Sequence, residues 1–509
     1  MLDGPHFRAR WARLNCEETL MKSLPHVGLR VLLPPRAAFP LLVLLFVLAG
    51  CATSDIMSPT SRFPAGTAPG TTQFWVNLRS RAQLQAAANI SDYAARGRFV
   101  MEELQRTAAA SQGPVITFLE QHNAKFVPFW VANVIWVEAD DETRTLVAQL
   151  PEVASVEPEQ SIALDDPQAI AAPAPQAIRD ASGLTIGQNV SRINAPQVWD
   201  QGITGKGVVV GIMDTGFAPH PAITPKYRGY QGSPSSFNNK YNWYDSVGVP
   251  RCQTPCDGNG HGTHVTGTVV GRDGSDAIGV APDAQFIACR ALNNSGSGTG
   301  QTVVACLQWF LAPTDTGGGN ANSAYRPNII NMSLGSGSLP TGVADAMRNL
   351  RAAGTLPVAA AGNSGGCGLV GYPGALGDVV AVGSLTADAS TNKVSTFSST
   401  GPVKGDAALV KPDVMAQGEA VRSSWLRGGY NTINGTSMAS PSVAGVAALV
   451  MSSSTRWLND PSGVATILLD TANGNVSPGT RSCSQVFGRG LVDANAAVNR
   501  ALLPVPRRE

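Results

Sequence analysis

Four polar residues in the C-terminal part of the chain are spaced so that together they could perform chemistry. Asp214 and Asn363 each follow an apolar run, whereas His261 and Ser437 each stand at the start of a helical stretch. A carboxylate, an imidazole and a hydroxyl can together activate an alcohol as a nucleophile, and an amide beside helix-start N–H groups can bind an oxyanion. Taken singly, each residue also has a structural explanation, as a turn former, a helix cap or a packed side chain. Their shared placement favours an active site.

The elements that must position these residues alternate between two patterns. Continuous apolar runs, typical of strands buried on both faces, occur at 208–213, 284–292, 328–332 and 356–361. Helical periodicity occurs between them at 261–270, 300–311, 341–353 and 438–452. This alternation predicts an α/β domain over 188–503, a doubly wound parallel sheet covered by helices, with ligands bound at the carboxyl ends of the strands. Thr436 is expected to cap the last of these helices.

A second, smaller unit precedes this domain. Residues 73–165 show strands and helices in the order β-α-β-β-α-β, which predicts a ferredoxin-like α+β fold, and they contain no catalytic constellation. Residues 166–187 are rich in Ala and Pro and then in Gly, which predicts an exposed linker that proteases can cut.

The first 51 residues are predicted to be an export signal. Basic residues precede the apolar run 39–49, which is too short to span a bilayer permanently and ends at Cys51 in a lipobox-like sequence. We expect Cys51 to be lipidated, with an ordinary signal peptide and an incidental cysteine as the alternative. Translation starts at Met1 or at Met21, which would give a signal of more usual length. Residues 52–72 are rich in small and polar residues and form a flexible tether.

Composition argues against a nucleic-acid partner. The 509 residues carry 37 Lys+Arg and 36 Asp+Glu, a formal net charge of +1, and the body of the chain has no basic run. The hydrophobic fraction of 43% supports a sizeable core. We expect a monomer.

Several motifs resemble those of the subtilisin-like serine proteases. The three active-site signatures of that family are matched by Asp214-Thr215-Gly216, His261-Gly262-Thr263-His264-Val265 and Gly435-Thr436-Ser437-Met438-Ala439. Supporting motifs are matched by residues 331–335, 361–363 and 488–494, and residues 73–165 look like the inhibitor-type prodomain of the family. The resemblance covers about 73–500, and its Asp, His, Ser order is the one that subtilisin uses on an α/β scaffold.

The resemblance implies a role for each residue. Ser437 would be the nucleophile, His261 its general base and acid, and Asp214 the group that orients His261 and stabilises its cation. The side chain of Asn363 and the backbone N–H of Ser437 would bind the oxyanion. The protein would then be an exported serine endopeptidase, made as a zymogen that processes itself within 166–187 and is inhibited by its own prodomain.

The resemblance also implies a substrate site. The segment Ser333, Leu334 and Gly335 would pair with an extended protein or peptide substrate as an added strand. Ala361 and Gly362 would wall the pocket for the P1 residue, whose carbonyl is attacked, and Gly371 would form its floor. These residues are small and uncharged, which predicts a preference for large apolar or aromatic P1 residues.

Six cysteines follow the signal segment, and in an exported protein they favour disulfides. The spacing of Cys252, Cys256, His261 and His264 invites a zinc site, but the gap between the pairs is too short to wrap a metal, and a Cys252–Cys256 loop is favoured. Pairing of the other four does not follow from sequence; we prefer Cys289–Cys306 and Cys367–Cys483.

No cofactor is predicted. In the family, an acid after the catalytic-Asp strand often helps to bind structural calcium, and here that position is Ala222, so a high-affinity site is not expected. Asp273 and Asp276 leave weaker calcium binding open.

The sequence leaves two alternative functions open. One is a non-catalytic surface-binding lipoprotein on a protease scaffold. The other is an esterase, although Ser437 lacks the Gly-x-Ser-x-Gly elbow. If the lipid anchor belongs to the prodomain side, self-cleavage would release the catalytic domain from its membrane into the periplasm or the medium.

Overall fold

The computed structural model describes residues 70–164, 177–179, 183–248 and 252–504. All of them belong to one compact unit, Met57–Glu509. The predicted signal, Cys51 and nearly all of the predicted tether lie outside the described residues. No helix within the described ranges has the length and apolar character needed to cross a membrane.

The N-terminal domain has the predicted β-α-β-β-α-β order, with its first helical segment broken before Gly113. Its strands pair antiparallel in the order β2-β3-β1-β4, the ferredoxin-like arrangement. The elements are β1 (Thr72–Leu78), α1 (Tyr93–Ser111), α2 (Gly113–Gln121), β2 (Lys125–Phe129), β3 (Val134–Ala139), α3 (Asp141–Val147) and β4 (Val153–Pro158).

Both faces of this small sheet are buried, for different reasons. Side chains alternate across a strand, so Phe74 and Val76 point to one face and Trp75 to the other. Phe74 and Val76 pack in the domain's own core with Leu119, whereas Trp75 shares a core with Leu307 of the large domain. The sheet therefore lies against the large domain, and its outer face is covered by α2 and α3.

Short elements connect the two domains. They are β5 (Ser161–Ala163), β6 (Ala177–Arg179), β7 (Thr185–Gly187), α4 (Gln188–Arg192) and α5 (Ala195–Trp199). Strands β6 and β7 lie within the segment that the sequence predicts to be a linker. The order of the four-stranded sheet that contains them is β12-β13-β7-β6, so this part of the linker is packed onto the large domain.

The large domain is an α/β fold built on the predicted parallel sheet. Among the described residues, seven strands pair in parallel in the order β11-β14-β8-β16-β17-β18-β19. Its elements are β8 (Val209–Asp214), β9 (Tyr230–Ser233), β10 (Ser236–Phe237), β11 (Trp243–Asp245), α6 (His261–Val270), β12 (Arg272–Asp273), β13 (Asp276–Ala277), β14 (Gln285–Arg290), β15 (Ser297–Thr299), α7 (Gly300–Leu311), β16 (Ile329–Met332), α8 (Thr341–Ala352), β17 (Leu356–Ala360), β18 (Val380–Leu385), β19 (Val414–Gln417), β20 (Val421–Ser424), β21 (Tyr430–Ile433), α9 (Thr436–Ser453), α10 (Pro461–Asp470) and α11 (Ala494–Leu502).

Helix α9 runs through the core, and every residue from Thr436 to Met451 is buried. An apolar sequence on all sides of a helix is typical of such a position. The expected cap is wrong in one respect: Thr436 is the first helical residue, and Gly435 occupies the N-cap with a φ of 149°, a value that L side chains rarely adopt. The hydroxyl of Thr436 is instead hydrogen-bonded to Asn363 and Gly362.

Three disulfides brace the large domain. They join Cys252 to Cys256, Cys289 to Cys306, and Cys367 to Cys483, which is the pairing preferred from the sequence. The first closes a loop just before His261, and the last ties the segment after Asn363 to the C-terminal region.

Candidate active site

Asp214 lies at the carboxyl end of β8, in the middle of the parallel sheet, and is fully buried. Its Oδ1 accepts a hydrogen bond of 2.8 Å from the N–H of Thr215. The same oxygen is 2.7 Å from Nδ1 of His261. A buried carboxylate at this distance fixes the orientation of the imidazole ring.

His261 is the first residue of α6 and is 5% exposed. The preceding Gly260 has a φ of 102°, and a Cβ there would also meet the ring of Trp425 at 2.7 Å, so glycine is required on two grounds. Because Nδ1 faces Asp214, Nε2 is directed to the opposite side of the ring, where a general base must meet the proton that it takes.

Asp257 organises the loop between these two residues, a function that sequence reasoning missed. Its Oδ1 accepts from the hydroxyl of Thr215 at 3.0 Å and from the N–H of Gly260 at 2.8 Å. Its Oδ2 accepts from the N–H and the hydroxyl of Thr263, at 3.0 and 2.7 Å. One carboxylate thus ties the end of β8 to the start of α6. The available sequence signal for this role was that Asp257 directly follows Cys256, in the segment that leads to His261.

Ser437 is in the first turn of α9, as predicted, and is 4% exposed. Its Oγ donates to the backbone carbonyl of Ser333 at 3.4 Å, and the hydroxyl of Ser333 donates to the carbonyl of Ser437 at 2.9 Å. Asn331 extends this network, since its Nδ2 donates to Ser333 Oγ and its Oδ1 accepts from Ser440 Oγ. Helix α9 is therefore locked to the end of β16.

Asn363 faces the start of the same helix. Its Oδ1 accepts two hydrogen bonds of 2.8 Å from Thr436, one from the backbone N–H and one from the hydroxyl. Thr436 Oγ1 also accepts from the N–H of Gly362 at 3.2 Å. With Oδ1 held in this way, the Nδ2 donor of Asn363 is turned away from Thr436.

The residues predicted to bind substrate divide into two groups. Gly335, Gly362 and Gly371 line a cavity of about 560 Å³. Ser333 and Leu334 are buried beside the cavity. Ala361 does not line it, but its carbonyl oxygen accepts a hydrogen bond of 2.9 Å from the N–H of Gly371, which does.

One charged residue also lines this cavity, contrary to the expectation of a pocket without charge. Lys404 is exposed and belongs to a loop that follows the sheet strand β18. Among the described residues that line the cavity, it is the only one with an ionisable acidic or basic side chain apart from the phenol of Tyr372. Its loop is far from the motifs in sequence, so no local signal pointed to it.

The end of the N-terminal domain occupies the neighbouring cleft. Strand β5 pairs antiparallel with β15, and Ala163 exchanges two backbone hydrogen bonds with Gly335, of 3.1 and 3.0 Å. The N–H of Leu164 donates to the carbonyl of Gly296 at 2.8 Å. A segment of this chain therefore lies as an added strand between two edges of the large domain.

His264 takes no part in this constellation. It is fully buried, and its Nε2 is 3.0 Å from the carbonyl oxygen of Val421. Burial, together with the nearby His261, lowers the pKa of His264 to about 3. It is a neutral structural residue, and the zinc interpretation is wrong because Cys252 and Cys256 are bonded to each other.

One of the two residues that left weak calcium binding open, Asp276, is engaged in an ion pair. Both carboxylate oxygens of Asp276 accept from the guanidinium of Arg422, at 3.1 and 2.9 Å. Within the described ranges, no group of three or more His, Cys, Asp or Glu side chains is arranged to hold a metal ion.

A doubly wound sheet with an acid at a strand end, and with an imidazole and a hydroxyl at helix starts, is typical of α/β serine hydrolases. Comparison with known proteins narrows this class. Residues 205–490 match the model of the subtilase family, which is more than half of the chain.

Named relatives agree with the family match. Bacillopeptidase F of Bacillus subtilis (strain 168) is 35% identical over 419 residues, covering 79% of this chain but 28% of that protein. Subtilisin DY of Bacillus licheniformis is 36% identical over 322 residues, covering 62% of this chain and 98% of that protein. The M-protease of Shouchella clausii (strain KSM-K16) is 36% identical over 323 residues, covering 62% and 72%. The chain belongs to the subtilase family of subtilisin-like serine endopeptidases.

Proposed function

We propose that this protein is an exported endopeptidase that cleaves peptide bonds through Asp214, His261 and Ser437. The observation that carries the proposal is the 2.7 Å contact between Asp214 and His261, formed near the helix that holds Ser437 in its first turn. That contact prepares an imidazole for accepting a proton from a serine hydroxyl.

Each group has a defined step in the proposed reaction. Ser437 Oγ attacks the substrate carbonyl carbon while Nε2 of His261 takes its proton, and the buried carboxylate of Asp214 stabilises the imidazolium. Asn363 Nδ2 and the N–H of Ser437 donate to the oxyanion. The intermediate then expels the amine, which takes the proton from His261, and water hydrolyses the acyl-enzyme in a second round of the same proton transfers.

We further propose that the N-terminal domain is an inhibitory prodomain. Its last described residues, 161–164, fill the strand position that a substrate peptide would take between Gly335 and Gly296. A chain in that position competes directly with substrate, so the unprocessed protein is a zymogen. Maturation would occur after Leu164 and before β6, since Ala177–Arg179 pairs with β7, which is itself packed onto the large domain through β13.

The walls of the cavity support a preference for large apolar P1 residues. Gly371 forms an open floor, because a Cβ placed on it would meet no atom closer than 3.5 Å. Ala360 and Gly362 leave room at the sides. A volume of about 560 Å³ can hold an aromatic side chain.

Casein hydrolysis by the purified full-length chain and by Ser437→Ala tests the catalytic assignment. Wild type should degrade casein and lose its N-terminal domain, and N-terminal sequencing of the product gives the maturation site. Ser437→Ala should do neither. An inactive wild-type chain would contradict the proposal and favour the surface-binding alternative.

Membrane release is a separate proposal. If Cys51 carries the lipid, the cut separates the anchor from the large domain, so cell fractionation should find Ser437→Ala in the membrane and wild type in solution. Cys51→Ser should make both soluble. Equal partitioning of wild type and Ser437→Ala, with Cys51 intact, would contradict release by self-cleavage.

A further inference from the structure

The Cys252–Cys256 disulfide joins the segment that leads to His261 to a strand at the end of the parallel sheet. On that side the anchor is Cys252, whose N–H donates to Oδ2 of Asp245 at 2.7 Å. Its carbonyl oxygen accepts from the indole N–H of Trp243 at 3.0 Å. Trp243 and Asp245 both belong to β11, so Cys252 is fixed to this strand by two hydrogen bonds of its own.

The anchor on β11 is itself rigid. The carboxylate of Asp245 is 2% exposed and lies 3.1 Å from a guanidinium nitrogen of Arg290, which is 1% exposed. Arg290 pairs in register with Asp214 of the neighbouring strand β8. Cys252 is therefore held against the same layer of the sheet that carries the catalytic carboxylate.

Cys256 lies against the segment that follows Asp214. A Cβ placed on Gly216 would be 2.0 Å from the carbonyl oxygen of Cys256 and 3.0 Å from the ring of Trp243. The backbone at Gly216 is thus enclosed between the two sides of the disulfide loop. A change in the position of Cys256 would be felt directly at the end of β8.

Asp257, the next residue, carries this position to the start of α6. Its carboxylate accepts from the N–H groups of Asn259, Gly260 and Thr263, at 2.9, 2.8 and 3.0 Å. His261 lies between the last two of these donors in the chain. The disulfide therefore fixes the residue before the carboxylate that sets where the catalytic imidazole begins.

The three disulfides of the large domain differ in how easily a reductant can reach them. Cys289 and Cys306 are completely buried, whereas Cys252 and Cys256 are half-buried and the residues Gln253 and Thr254 between them are exposed. A thiolate must approach a sulfur atom to exchange with a disulfide. The pair beside His261 is therefore open to attack.

The loop that this disulfide closes is also very short. Its cysteines are 4 residues apart in sequence, against 116 for Cys367 and Cys483. In the chain-entropy model, the stabilisation of a fold by a disulfide grows with the length of the loop that it closes. The Cys252–Cys256 bond therefore contributes little to global stability, and its effect is on local position.

We propose that the Cys252–Cys256 disulfide is a redox switch: its reduction by a dithiol releases Asp257 from the anchor on β11 and lowers turnover, while the fold and the substrate cavity persist. The inference rests on the proposed endopeptidase function, whose site it deepens. Neither cysteine lines the cavity of about 560 Å³, so reduction should act on the chemical step more than on substrate binding. The enzyme would be fully active only under oxidising conditions.

The reduction is an ordinary thiol–disulfide exchange. A thiolate of the dithiol attacks one sulfur of the pair, forms a mixed disulfide with that cysteine and expels the other cysteine as a thiolate. The second thiol of the reagent then closes to a cyclic disulfide and expels the first cysteine. Two electrons pass from the dithiol to the pair, and the two protons of its thiols end on the cysteines.

Titration of the mature enzyme with dithiothreitol tests the switch. Steady-state kinetics on one fluorogenic peptide should show kcat falling about tenfold as the pair is reduced, because a small displacement of a catalytic group is costly. KM should change by no more than about twofold. Alkylation and mass spectrometry of the peptide that contains both cysteines follow the reduction, and removal of the dithiol with reoxidation should restore kcat.

Paired serine variants assign the effect to one disulfide. Cys252→Ser with Cys256→Ser should have the low kcat of the reduced enzyme and should not respond to dithiothreitol. Cys367→Ser with Cys483→Ser removes the other accessible disulfide and should respond as wild type does. Asp257→Asn should also lower kcat, and the further loss on reduction should be smaller than in wild type, because the disulfide acts through this carboxylate.

Hydrogen exchange gives a measurement that needs no catalysis. In the full-length Ser437→Ala protein, the amides of Asn259, Gly260 and Thr263 should exchange faster after reduction, because their acceptor is less well fixed. The amides of α8 serve as the internal reference. This measurement stands even if the paired Cys252 and Cys256 variant does not fold.

The outcomes separate the inference from the function beneath it. Reduction of Cys252 and Cys256 without a fall in kcat, a fall that persists in their paired serine variant, or resistance of the folded enzyme to excess dithiothreitol would each overturn the switch and leave the endopeptidase function standing. An untreated enzyme that cleaves neither peptide nor casein would overturn the function instead, and hydrogen exchange in Ser437→Ala would still show whether the disulfide fixes the loop.

Discussion

Thr436 and Asn363 are joined by two hydrogen bonds of 2.8 Å, both accepted by Oδ1 of the asparagine. This pairing decides which end of the amide faces the substrate carbonyl. An asparagine whose oxygen faced the site would repel the oxyanion, whereas one whose Nδ2 faces it stabilises the charge. The first helical residue of α9 thus orients a donor that lies 73 positions earlier in the chain.

Thr436→Val should lower kcat by about tenfold while KM changes little, because the oxyanion exists only after attack on the carbonyl. The variant removes the Oγ1 donor to Asn363 and the acceptor of Gly362 N–H but keeps the shape of the side chain. Steady-state kinetics on a single peptide substrate provide the measurement. Thr436→Ser keeps the hydroxyl and should retain most of the activity. A Val variant with an unchanged kcat would show that the backbone bond alone holds the amide.

A second prediction concerns how firmly the N-terminal domain is held. Tyr93 and Arg326 form a contact remote from the cleft. Nη2 of Arg326 donates to the carbonyl of Tyr93 at 2.6 Å, and the hydroxyl of Tyr93 donates to the carbonyl of Arg326 at 3.0 Å. The guanidinium also lies 3.5 Å from the centre of the tyrosine ring. Arg326 is 2% exposed, so its contacts are made largely out of water.

Tyr93→Ala should therefore shorten the lag between self-cleavage and full activity of the processed enzyme, by about tenfold. The lag is measured with a fluorogenic peptide while gel electrophoresis follows the cut. Arg98→Ala changes an exposed residue of the same helix and is the matched control. Gly97→Ala should act like Tyr93→Ala, since a Cβ at Gly97 would collide with the guanidinium of Arg326. A lag that is the same in Tyr93→Ala and wild type would mean that the cleft contacts alone set the release rate.

The features that could be predicted from the sequence depend on local patterns, whereas several of those that were missed depend on contacts between distant parts of the chain. The buried runs ending at Asp214 and before Asn363 could be assigned, because apolar periodicity and glycine-rich turns are local signals. The pairing of Ala163 with Gly335 and the approach of Lys404 to the cavity could not, since both depend on how distant loops meet. Strands β18 and β19 were missed too, although their residues are buried. The short strand β6 falls in an Ala- and Pro-rich stretch whose composition indicated a linker, and its pairing comes from the sheet that it joins.

The pH dependence of stability should show the effect of His264. Its pKa is about 3 in the folded protein and about 6.5 in the unfolded chain. Between these values the unfolded chain binds a proton that the folded protein does not, so the free energy of unfolding should fall as the pH falls, by about 1.4 kcal/mol per pH unit from this group. Urea unfolding of the Ser437→Ala protein between pH 4 and 7 measures the slope without self-digestion.

His264→Gln in the same background should reduce that slope below pH 6, because the titrating group is gone. An NMR titration gives a second measurement that does not depend on how well the variant folds: the ring of His264 should remain neutral at pH 4. Protonation of the folded protein near pH 6 would contradict the low pKa.

The last prediction concerns the ion pair between Arg422 and Asp276, near strands β12 and β13. The guanidinium of Arg422 spans both oxygens of Asp276, and its carbon lies 4.0 Å from the ring centre of Tyr430. Asp276 in turn pairs with Thr185 of β7, so this cation holds the strand that leads into the large domain. EDTA should leave the melting temperature of Ser437→Ala nearly unchanged, because a fixed positive charge already compensates the carboxylate.

Arg422→Ala should lower stability by about 1 kcal/mol, the upper range for a partly exposed pair, and should make the protein newly responsive to calcium. With the guanidinium gone, the carboxylate of Asp276 is left without this cation, opposite Asp273 in the β12–β13 pair, and oxygen ligands of this kind suit calcium. Differential scanning calorimetry with millimolar calcium or EDTA measures both effects. Arg422→Lys keeps a charge but not the bidentate geometry, so its stability and its response to calcium should lie between those of the wild-type and Arg422→Ala proteins. A large loss of stability on adding EDTA to the protein with Arg422 intact would show that a metal ion, rather than this arginine, holds the strands together.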